Sequence, residues 1–166
     1  MLRVSICDDD VATLSQLEEL VRQYLDPREL CLATYSGYGE FLTTRQYVDL
    51  LFMDIDLGDG CGIELAKEVK KTDSGTCVIF VTAHPEYVEE SFEVEPVYFL
   101  VKPIRPDSFH RAMDRAMERL AAERQESRLT VTFQNRVSAV ALRDISYIEF
   151  SVRSATIHAG TRVLRT

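Results

Sequence analysis

Apolar and polar positions alternate along the first 120 or so residues in a strand–helix rhythm that repeats five times. Short apolar runs begin near residues 2, 30, 48, 77 and 97, and the third is almost continuous, as in a strand covered on both faces. Segments between them carry apolar residues every three or four positions, which predicts amphipathic helices. Together these patterns predict an α/β fold with an open, doubly wound, five-stranded parallel sheet.

The helix pattern is clear enough to give approximate boundaries. We expect helices over residues 11–25, 38–45 and 85–93, another that ends near Lys71, and a last one from about Pro106. Either Asp9 or Asp10 can cap the first helix. The last helix has one apolar stripe, formed by Phe109, Ala112, Met113, Ala116 and Leu120.

The pattern changes after about residue 123. Residues 123–128 are charged and lack apolar periodicity, which indicates a helix end or a linker. Short alternating segments follow, over residues 129–133, 138–142, 146–150 and 155–158, with turns expected at Gln134-Asn135 and near Arg153. This is typical of a β-meander. The pattern breaks off at Thr166 inside a strand-like segment, so we expect the second domain to be incomplete here.

Charge divides the chain at the same place. Of a net charge of −8, the first 126 residues carry −12, from 25 acidic and 13 basic side chains. The last 40 carry +4, from 2 acidic and 6 basic side chains. This asymmetry favours two modules with different partners. The basic module could favour nucleic acid, although six arginines also suit an ordinary solvated surface.

Cysteine spacing and hydropathy indicate the cellular compartment in which we expect the protein. The four cysteines show no metal-like spacing, and three of them lie in strand-like apolar runs, where cysteine is usually a small buried hydrophobe. No apolar stretch is long enough to span a bilayer, and the N-terminus has no signal-peptide layout. We therefore expect a reduced, cytoplasmic protein with no membrane insertion.

Candidate chemistry gathers at the predicted strand ends. Asp8 and Asp9 follow the first strand and Asp54 ends the third, so three carboxylates converge if these strands are neighbours. Clustering three like charges is unfavourable unless a cation neutralises them, and oxygen ligands suit Mg²⁺. Thr82 after the fourth strand and Lys102 after the fifth could contact phosphoryl oxygens. Each residue alone is more often a cap, a core position or a surface charge; their joint order favours the site.

These residues resemble the response-regulator receiver family. The matching segments are Cys7-Asp8-Asp9-Asp10, Phe52-Met53-Asp54-Ile55, Phe80-Val81-Thr82-Ala83 and Phe99-Leu100-Val101-Lys102-Pro103. The resemblance covers residues 1–124 and implies a flavodoxin-like receiver domain, with residues 125–128 as a linker. The loop Gly60-Cys61-Gly62 departs from the family, which tends to carry a proline there.

Roles for the site residues follow from the resemblance. Asp54 is then the phosphoacceptor, and Mg²⁺ is held by Asp8, Asp9, Asp54 and the backbone carbonyl of Asp56. The phosphoryl-binding and switch positions are Thr82, Ala83, Lys102 and the aromatic Phe99, although Phe99 could equally be an ordinary core residue. The Lys102–Pro103 bond is expected to be cis.

Two further positions could tune how long the phosphoryl group persists. Asp56 lies two residues after Asp54, and His84 lies two residues after Thr82. Asp56 could orient an attacking water or repel phosphodonors, and His84 could hydrogen-bond Asp56 or the phosphoryl group. Both could also be exposed loop residues without a role.

The second module resembles the start of a LytTR-type DNA-binding domain, mainly through residues 142–150 (LRDISYIEF). Residues 129–166 would form its N-terminal, incomplete part. The two resemblances together imply a two-component response regulator. Its partners would be a sensor histidine kinase and, through the full output domain, DNA, with homodimerisation on phosphorylation left open.

Two other function classes remain open at this stage. One is a Mg²⁺-dependent acid-cluster phosphatase, for which Asp56 could be the general acid. The other is a receiver-like interaction scaffold that is never phosphorylated. The receiver interpretation makes the chain a phosphoacceptor protein and not an enzyme, apart from its own phosphoryl transfer and slow dephosphorylation.

Overall fold

The structure is a computed structural model with two compact units, Met1–Leu120 and Ala121–Thr166. It describes residues 1–44, 47–126, 128–133, 136–142, 145–151, 154–160 and 162–165. Among these, no helix combines the length and the apolar character that crossing a bilayer requires.

The first unit contains the predicted parallel sheet. Its strands are β1 (Leu2–Cys7), β2 (Leu30–Tyr35), β3 (Leu50–Asp54), β4 (Cys77–Thr82) and β5 (Tyr98–Val101). They pair in parallel in the order β2-β1-β3-β4-β5. Every residue of β3 and β4 is buried, as expected for central strands covered on both faces. The predicted doubly wound α/β fold is confirmed.

Within the described ranges, four α-helices cover the two faces of this sheet. They are α1 (Val11–Tyr24), α2 (Tyr38–Thr44), α3 (Gly62–Thr72) and α4 (Pro106–Glu126). One buried cluster includes Leu17 of α1 with Phe109 of α4, and a second includes Phe41 of α2 with Leu65 of α3. The helices therefore pack in pairs on opposite faces of the sheet. The expected end of the second helix at Arg45 lies outside the described residues.

The helix expected over residues 85–93 is wrong in type. Two short 3₁₀ segments, Pro85–Val88 and Glu90–Val94, stand in its place, and Glu95 follows in the left-handed region at φ 51°. Glutamates at positions 86, 89, 90 and 93 would lie three and four residues apart on an α-helix, where like charges destabilise it. The Ser91 hydroxyl also donates to the Val88 carbonyl at 2.6 Å, a local bond that competes with regular helix.

The second unit is β-rich, as predicted. Strands β6 (Arg128–Phe133) and β7 (Arg136–Ala141) form an antiparallel pair. Strands β8 (Ile145–Ser151), β9 (Ser154–Ala159) and β10 (Arg162–Arg165) form a separate antiparallel sheet. The expected turns at Gln134-Asn135 and near Arg153 lie outside the described residues.

The boundary between the units differs in detail from the expected linker at residues 125–128. Helix α4 continues through Glu126, and β6 already includes Arg128. Gln125 and Glu126 therefore extend the last helix, because helix formation needs no apolar stripe where Gln and Glu have good intrinsic propensity.

Candidate functional site

The predicted acidic residues meet at the carboxyl edge of the parallel sheet. Strands β1 and β3 are neighbours, and Cys7 of β1 lies opposite Met53 of β3. The next residues along the chain, Asp8 and Asp54, therefore lie side by side at the carboxyl edge. Carboxylate oxygens of Asp8, Asp9 and Asp54 all lie within 4.8 Å of one another. Asp8 and Asp54 are buried and Asp9 is exposed. The carboxylates thus form a cluster that is open to solvent on one side.

The adjacent Asp10 has a different task from Asp9. Its side chain accepts hydrogen bonds from the Ala12 amide at 3.0 Å and the Thr13 hydroxyl at 2.8 Å, and so caps α1. Because Asp10 satisfies the helix terminus, the Asp9 carboxylate is available to the cluster. The sequence left open which of the two is the cap, and the structure assigns it to Asp10.

Lys102 supplies the positive charge of the site. Its Nζ lies 2.5 Å from Asp54 Oδ2 and 3.0 and 2.9 Å from the two Asp8 oxygens. Its backbone amide donates to the Thr82 carbonyl at 2.9 Å, which ties the end of β5 to β4. The Lys102–Pro103 peptide bond is cis, as expected. Burial lowers the pKa of Lys102, but hydrogen bonds to Asp54 and Asp8 outweigh it and leave that pKa raised.

The burial and hydrogen bonding of the Asp8 carboxylate indicate whether the site suits a cation. Burial raises its pKa to about 6, although hydrogen bonds from Lys102 and the Asp10 amide oppose the rise. Its Oδ2 is buried and lies near Lys102 without hydrogen-bond geometry to any donor among the described residues. A buried anionic oxygen with an unused lone pair beside two further carboxylates fits a hard divalent cation such as Mg²⁺.

Two glycines allow the backbone to approach these acids closely. A Cβ on Gly62 would lie 1.7 Å from the Asp54 carbonyl oxygen, so no other residue fits there without moving the chain. Gly58 has φ +66°, and a Cβ on it would lie 2.8 Å from Asp9 Oδ2. From the sequence alone, these glycines indicate only a loop. Whether they let the backbone approach the aspartates closely depends on tertiary contacts.

The same loop contains a contact that the sequence does not signal. Asp59 accepts hydrogen bonds from the amides of Tyr38 at 2.8 Å and Gly39 at 3.1 Å, at the start of α2. These bonds lower the pKa of Asp59. Asp59 therefore anchors the loop after Asp54 to another helix, although the two residues are 21 and 20 positions apart from it along the chain.

The expected phosphoryl-binding residues lie beside the cluster on β4 and β5. Thr82 is fully buried, and its hydroxyl accepts a hydrogen bond from the His84 amide at 3.0 Å. Ala83 is exposed next to it. Phe99 is half-buried and stacks on Phe80, with ring centroids 5.6 Å apart. Its role as a switch stays a prediction.

Asp56 and His84 line one shallow cavity of about 260 Å³, next to the end of β3. The Asp56 amide donates to Asp54 Oδ1 at 3.3 Å, while the Asp56 carboxylate is exposed. His84 Nδ1 lies 3.1 Å from Glu86 Oε1, so the side chain of His84 pairs with Glu86. The two residues share a cavity, and their effect on phosphoryl lifetime stays a prediction, as does the Asp56 carbonyl ligand.

With fold and site defined, comparison with known proteins gives the family. The profile of the response regulator receiver domain matches residues 4–114, a span that contains every site residue described above. The chain belongs to this family.

Curated relatives include a sensory transduction protein and a transcriptional regulatory protein. The chain is 30% identical over 115 residues to the sensory transduction protein LytT of Bacillus subtilis, covering 68% of this chain and 47% of LytT. It is 27% identical over 167 residues to the transcriptional regulatory protein NatR of Bacillus subtilis, covering 100% of this chain and 71% of NatR. The chain thus spans about half of LytT and under three quarters of NatR.

Solved structures confirm the receiver fold. A BeF3-activated DrrB receiver domain matches with a TM-score of 0.63 and 25% identity, covering 71% of this chain and 98% of that one. A CheY-like receiver domain protein from Methanospirillum hungatei matches with a TM-score of 0.62 and 25% identity, covering 74% and 98%. Each of these two matches covers about the length of the first unit.

Proposed function

We propose that this chain is the receiver-bearing part of a two-component response regulator, in which Asp54 accepts a phosphoryl group from a sensor histidine kinase. One observation carries the proposal: the Lys102 ammonium bridges Asp54 and Asp8 inside a cluster of three carboxylates. A purely structural ion pair would not need three acids around one lysine, since their mutual repulsion is unfavourable.

The transfer is a simple displacement at phosphorus. One carboxylate oxygen of Asp54 forms a bond to the phosphorus of a phosphohistidine, and the P–N bond breaks. The electron pair of that bond stays on the imidazole nitrogen, which then takes up a proton. Such transfers depend mainly on positioning and charge stabilisation.

Asp8, Asp9 and Asp54, with the Asp56 carbonyl, would hold Mg²⁺. When bound, Mg²⁺ supplies positive charge that offsets the repulsion between the Asp54 carboxylate and the phosphoryl oxygens. Lys102 stands 2.5 Å from Asp54 Oδ2, so it neutralises charge on a second phosphoryl oxygen. The Thr82 hydroxyl donates to a third, and Ala83 and Phe99 respond to the rearrangement.

The second unit is proposed to begin a LytTR-type DNA-binding domain, so that phosphorylation controls transcription. Support comes from the antiparallel strands β6–β10, which form a two-stranded and a three-stranded sheet, and from NatR, a transcriptional regulatory protein that aligns along the whole chain. Part of the 142–150 motif, at Arg143 and Asp144, lies outside the described residues. Homodimerisation on phosphorylation belongs to the same proposal, as does a cytoplasmic location.

The chain is further proposed to have no enzymatic turnover beyond its own phosphoryl transfer and slow dephosphorylation. Asp56 and His84 set the rate of that loss, because both line one cavity next to the end of β3. The exposed Asp56 carboxylate is the base that orients the water.

Incubation with acetyl phosphate and Mg²⁺, followed by intact mass spectrometry, tests the proposal against the two other function classes. We expect one phosphoryl adduct that forms only with Mg²⁺ and decays over minutes or longer. Continuous release of phosphate without an adduct indicates a phosphatase. An unchanged mass with no phosphate release indicates a scaffold, and either result overturns the proposal.

A further inference from the structure

The segment between β3 and α3, residues 55–62, folds into a short hairpin that we call the site loop. Its base is closed by the Gly62 amide, which donates to the Ile55 carbonyl at 2.8 Å. One residue further in on each side, Asp56 pairs with Cys61 in an antiparallel bridge. Asp56, whose carbonyl is a proposed metal ligand, therefore lies in one arm of a hairpin whose other arm leads into α3.

The tip of the site loop lies against a second proposed metal ligand. Gly58 has φ +66°, and a Cβ on it would lie 2.8 Å from Asp9 Oδ2, so the backbone of the tip closely approaches the Asp9 carboxylate. The Gly58 amide also donates to Asp56 Oδ1 at 3.4 Å. The position of the tip therefore affects two proposed ligands, the Asp9 carboxylate and the Asp56 carbonyl.

Asp59 fixes this tip to the start of α2. Its Oδ1 accepts a hydrogen bond from the Tyr38 amide at 2.8 Å, and its Oδ2 accepts one from the Gly39 amide at 3.1 Å. Gly37 leaves room for the carboxylate, since a Cβ there would lie 2.9 Å from Asp59 Oδ1. Gly60 leaves room for the Tyr38 ring, which a Cβ would approach to 2.7 Å. The contact is a two-point clamp in which both carboxylate oxygens are used.

The start of α2 is in turn fixed to the end of β1. The Asp8 amide donates to the Tyr35 carbonyl at 3.1 Å, and Cys7 Sγ donates to the Gly37 carbonyl at 3.6 Å. Asp8 is itself a proposed metal ligand. The clamp therefore ties the loop that carries Asp56 to the same segment that is hydrogen-bonded to the end of β1.

We propose that Asp59 is a positioning residue for the Mg²⁺ site, which holds Asp9 and the Asp56 carbonyl in place by clamping the tip of the site loop. The inference rests on the proposed function, since it assumes that these groups bind the metal. Asp59 does not belong to the carboxylate cluster among the described residues, so it acts through the backbone. Mg²⁺ demands near-octahedral geometry at ~2.0–2.1 Å, whereas Ca²⁺ accepts flexible geometry at ~2.3–2.6 Å. Loss of the clamp therefore changes metal selectivity as well as affinity.

Metal titration of Asp59→Asn measures this effect. The substitution keeps the shape of the side chain and replaces one acceptor oxygen with an NH₂ group that faces a backbone amide. Isothermal titration at pH 8 with Mg²⁺ and, separately, with Ca²⁺ gives the ratio of the two dissociation constants. We expect Mg²⁺ to bind roughly tenfold more weakly and Ca²⁺ no more than about threefold more weakly, so the ratio changes severalfold.

Two further variants separate the clamp from a loss of charge and from damage to α2. Glu40→Gln also removes one exposed charge in the first turn of α2, where Glu40 accepts from the Ser36 amide at 2.7 Å and the Ser36 hydroxyl at 2.8 Å. It leaves the clamp intact and should keep the selectivity ratio of the parent. Gly39→Pro keeps every charge and removes one amide donor of the clamp, in a first helical turn that tolerates proline. It should change the ratio in the same direction as Asp59→Asn.

The outcomes distinguish this inference from the proposed function. A parent that binds Mg²⁺ and forms the Asp54 adduct, together with an unchanged ratio in Asp59→Asn, overturns the inference and leaves the proposed function standing. Equal weakening of Mg²⁺ and Ca²⁺ also overturns it, because loss of charge alone explains such a change. A parent that binds no Mg²⁺ overturns both. Thermal unfolding without metal shows whether each variant is folded, and Gly39→Pro decides the question by the same ratio if Asp59→Asn is not.

Discussion

The two edges of the parallel sheet each contain one buried carboxylate oxygen that lacks a hydrogen bond among the described residues, and they differ in what surrounds it. At the carboxyl edge, Asp8 Oδ2 lies near two further carboxylates and the Lys102 ammonium. At the amino edge, Asp73 Oδ2 lies beside apolar walls and a tyrosine. The first setting suits a hard metal ion with several oxygen ligands, whereas the second holds a single carboxylate among apolar side chains and the hydrogen-bonding Tyr47.

The comparison shows that an unpaired buried oxygen identifies a ligand only through its neighbours. Parallel strands bring their carboxyl ends together, so charged residues placed there by the sequence are concentrated at one edge. The amino edge gathers residues from helices and from the segments before strands, and here these are a mixture of apolar and polar side chains. Substitutions at one edge should therefore leave the other edge unchanged.

The largest effect at the carboxyl edge is expected from Lys102→Met. Loss of the ammonium removes charge stabilisation at Asp54, and the rate of phosphorylation by acetyl phosphate should fall roughly a hundredfold. Mg²⁺ affinity at pH 8 should not fall, because the variant removes a cation that competes for the same carboxylates. Lys67→Met is the matched control, since Lys67 pairs with Glu93 at 2.8 Å on the surface. Equal rates in the two variants would contradict the role of Lys102.

Mg²⁺ binding should depend on pH through Asp8. The pKa of Asp8 is about 6 in the folded chain, so below pH 6 a proton competes with the metal. Apparent affinity should fall by up to about tenfold for each further unit. Isothermal titration between pH 5 and 8 measures this, and Asp73→Asn should give the same profile as the parent. An affinity that is flat across pH 6 would contradict the assignment of Asp8.

The raised pKa of Asp8 also determines whether the metal-free fold gains or loses stability as pH rises. The folded-state pKa of about 6 exceeds the ordinary value of 3.8, so the folded chain holds this proton more tightly than the unfolded chain. Metal-free stability should thus fall as pH rises from about 4 to 6, by on the order of 2–3 kcal/mol at most. Mg²⁺ should restore about 2.7 kcal/mol at a hundred times its Kd above pH 6, and less at pH 5. Urea unfolding with and without Mg²⁺ checks both signs.

Substitutions of the neighbouring residues Asp9 and Asp10 should separate the effect of metal binding from the effect of helix capping. Asp10→Ala removes the cap of α1 and should lower the thermal midpoint by roughly 2–5 °C, with Mg²⁺ affinity nearly unchanged. Asp9→Ala should weaken Mg²⁺ and leave the metal-free midpoint at or above that of the parent. Calorimetry and Mg²⁺ titration on both variants test this. The reverse pattern would exchange the two roles.

The smallest effect is expected at the cavity beside the phosphorylation site. Asp56→Asn should lengthen the lifetime of the phosphorylated form severalfold, because it removes the base that orients water. His84→Ala should change the lifetime less, since the side chain of His84 pairs with Glu86 at 3.1 Å. Decay is followed by phosphate release at several pH values. Identical decay in the parent and both variants would remove both residues from the account.

Much of this site was predictable because it depends on order along the chain. Asp8, Asp54, Thr82 and Lys102 each end or follow a strand of the parallel sheet, and parallel topology then brings them together. Side-chain pairing was not predictable. Nothing in the sequence distinguishes the capping Asp10 from the cluster residue Asp9, or shows that Asp59 anchors the start of α2.

The fold, like the site, was predictable only in part. Period and apolar runs predicted the five strands and four helices, whereas the segment over residues 85–94 failed as a helix because charge repulsion outweighed its apolar spacing. The cavity at the amino edge, between α2 and the end of α3, also escaped prediction. Phe41 belongs to α2, whereas Val69 and Asp73 belong to the end of α3, and only packing brings the two helices together.

Phosphoryl mapping tests the central claim, that Asp54 is the acceptor at the carboxyl edge, most directly. Parent, Asp54→Asn and Asp73→Asn are treated with acetyl phosphate and Mg²⁺, and the adduct is measured by intact mass and located by peptide analysis. We predict one acid-labile phosphoryl group on Asp54 in the parent and in Asp73→Asn, and none in Asp54→Asn. A full adduct in Asp54→Asn, or one mapped to another residue in the parent, would contradict the account.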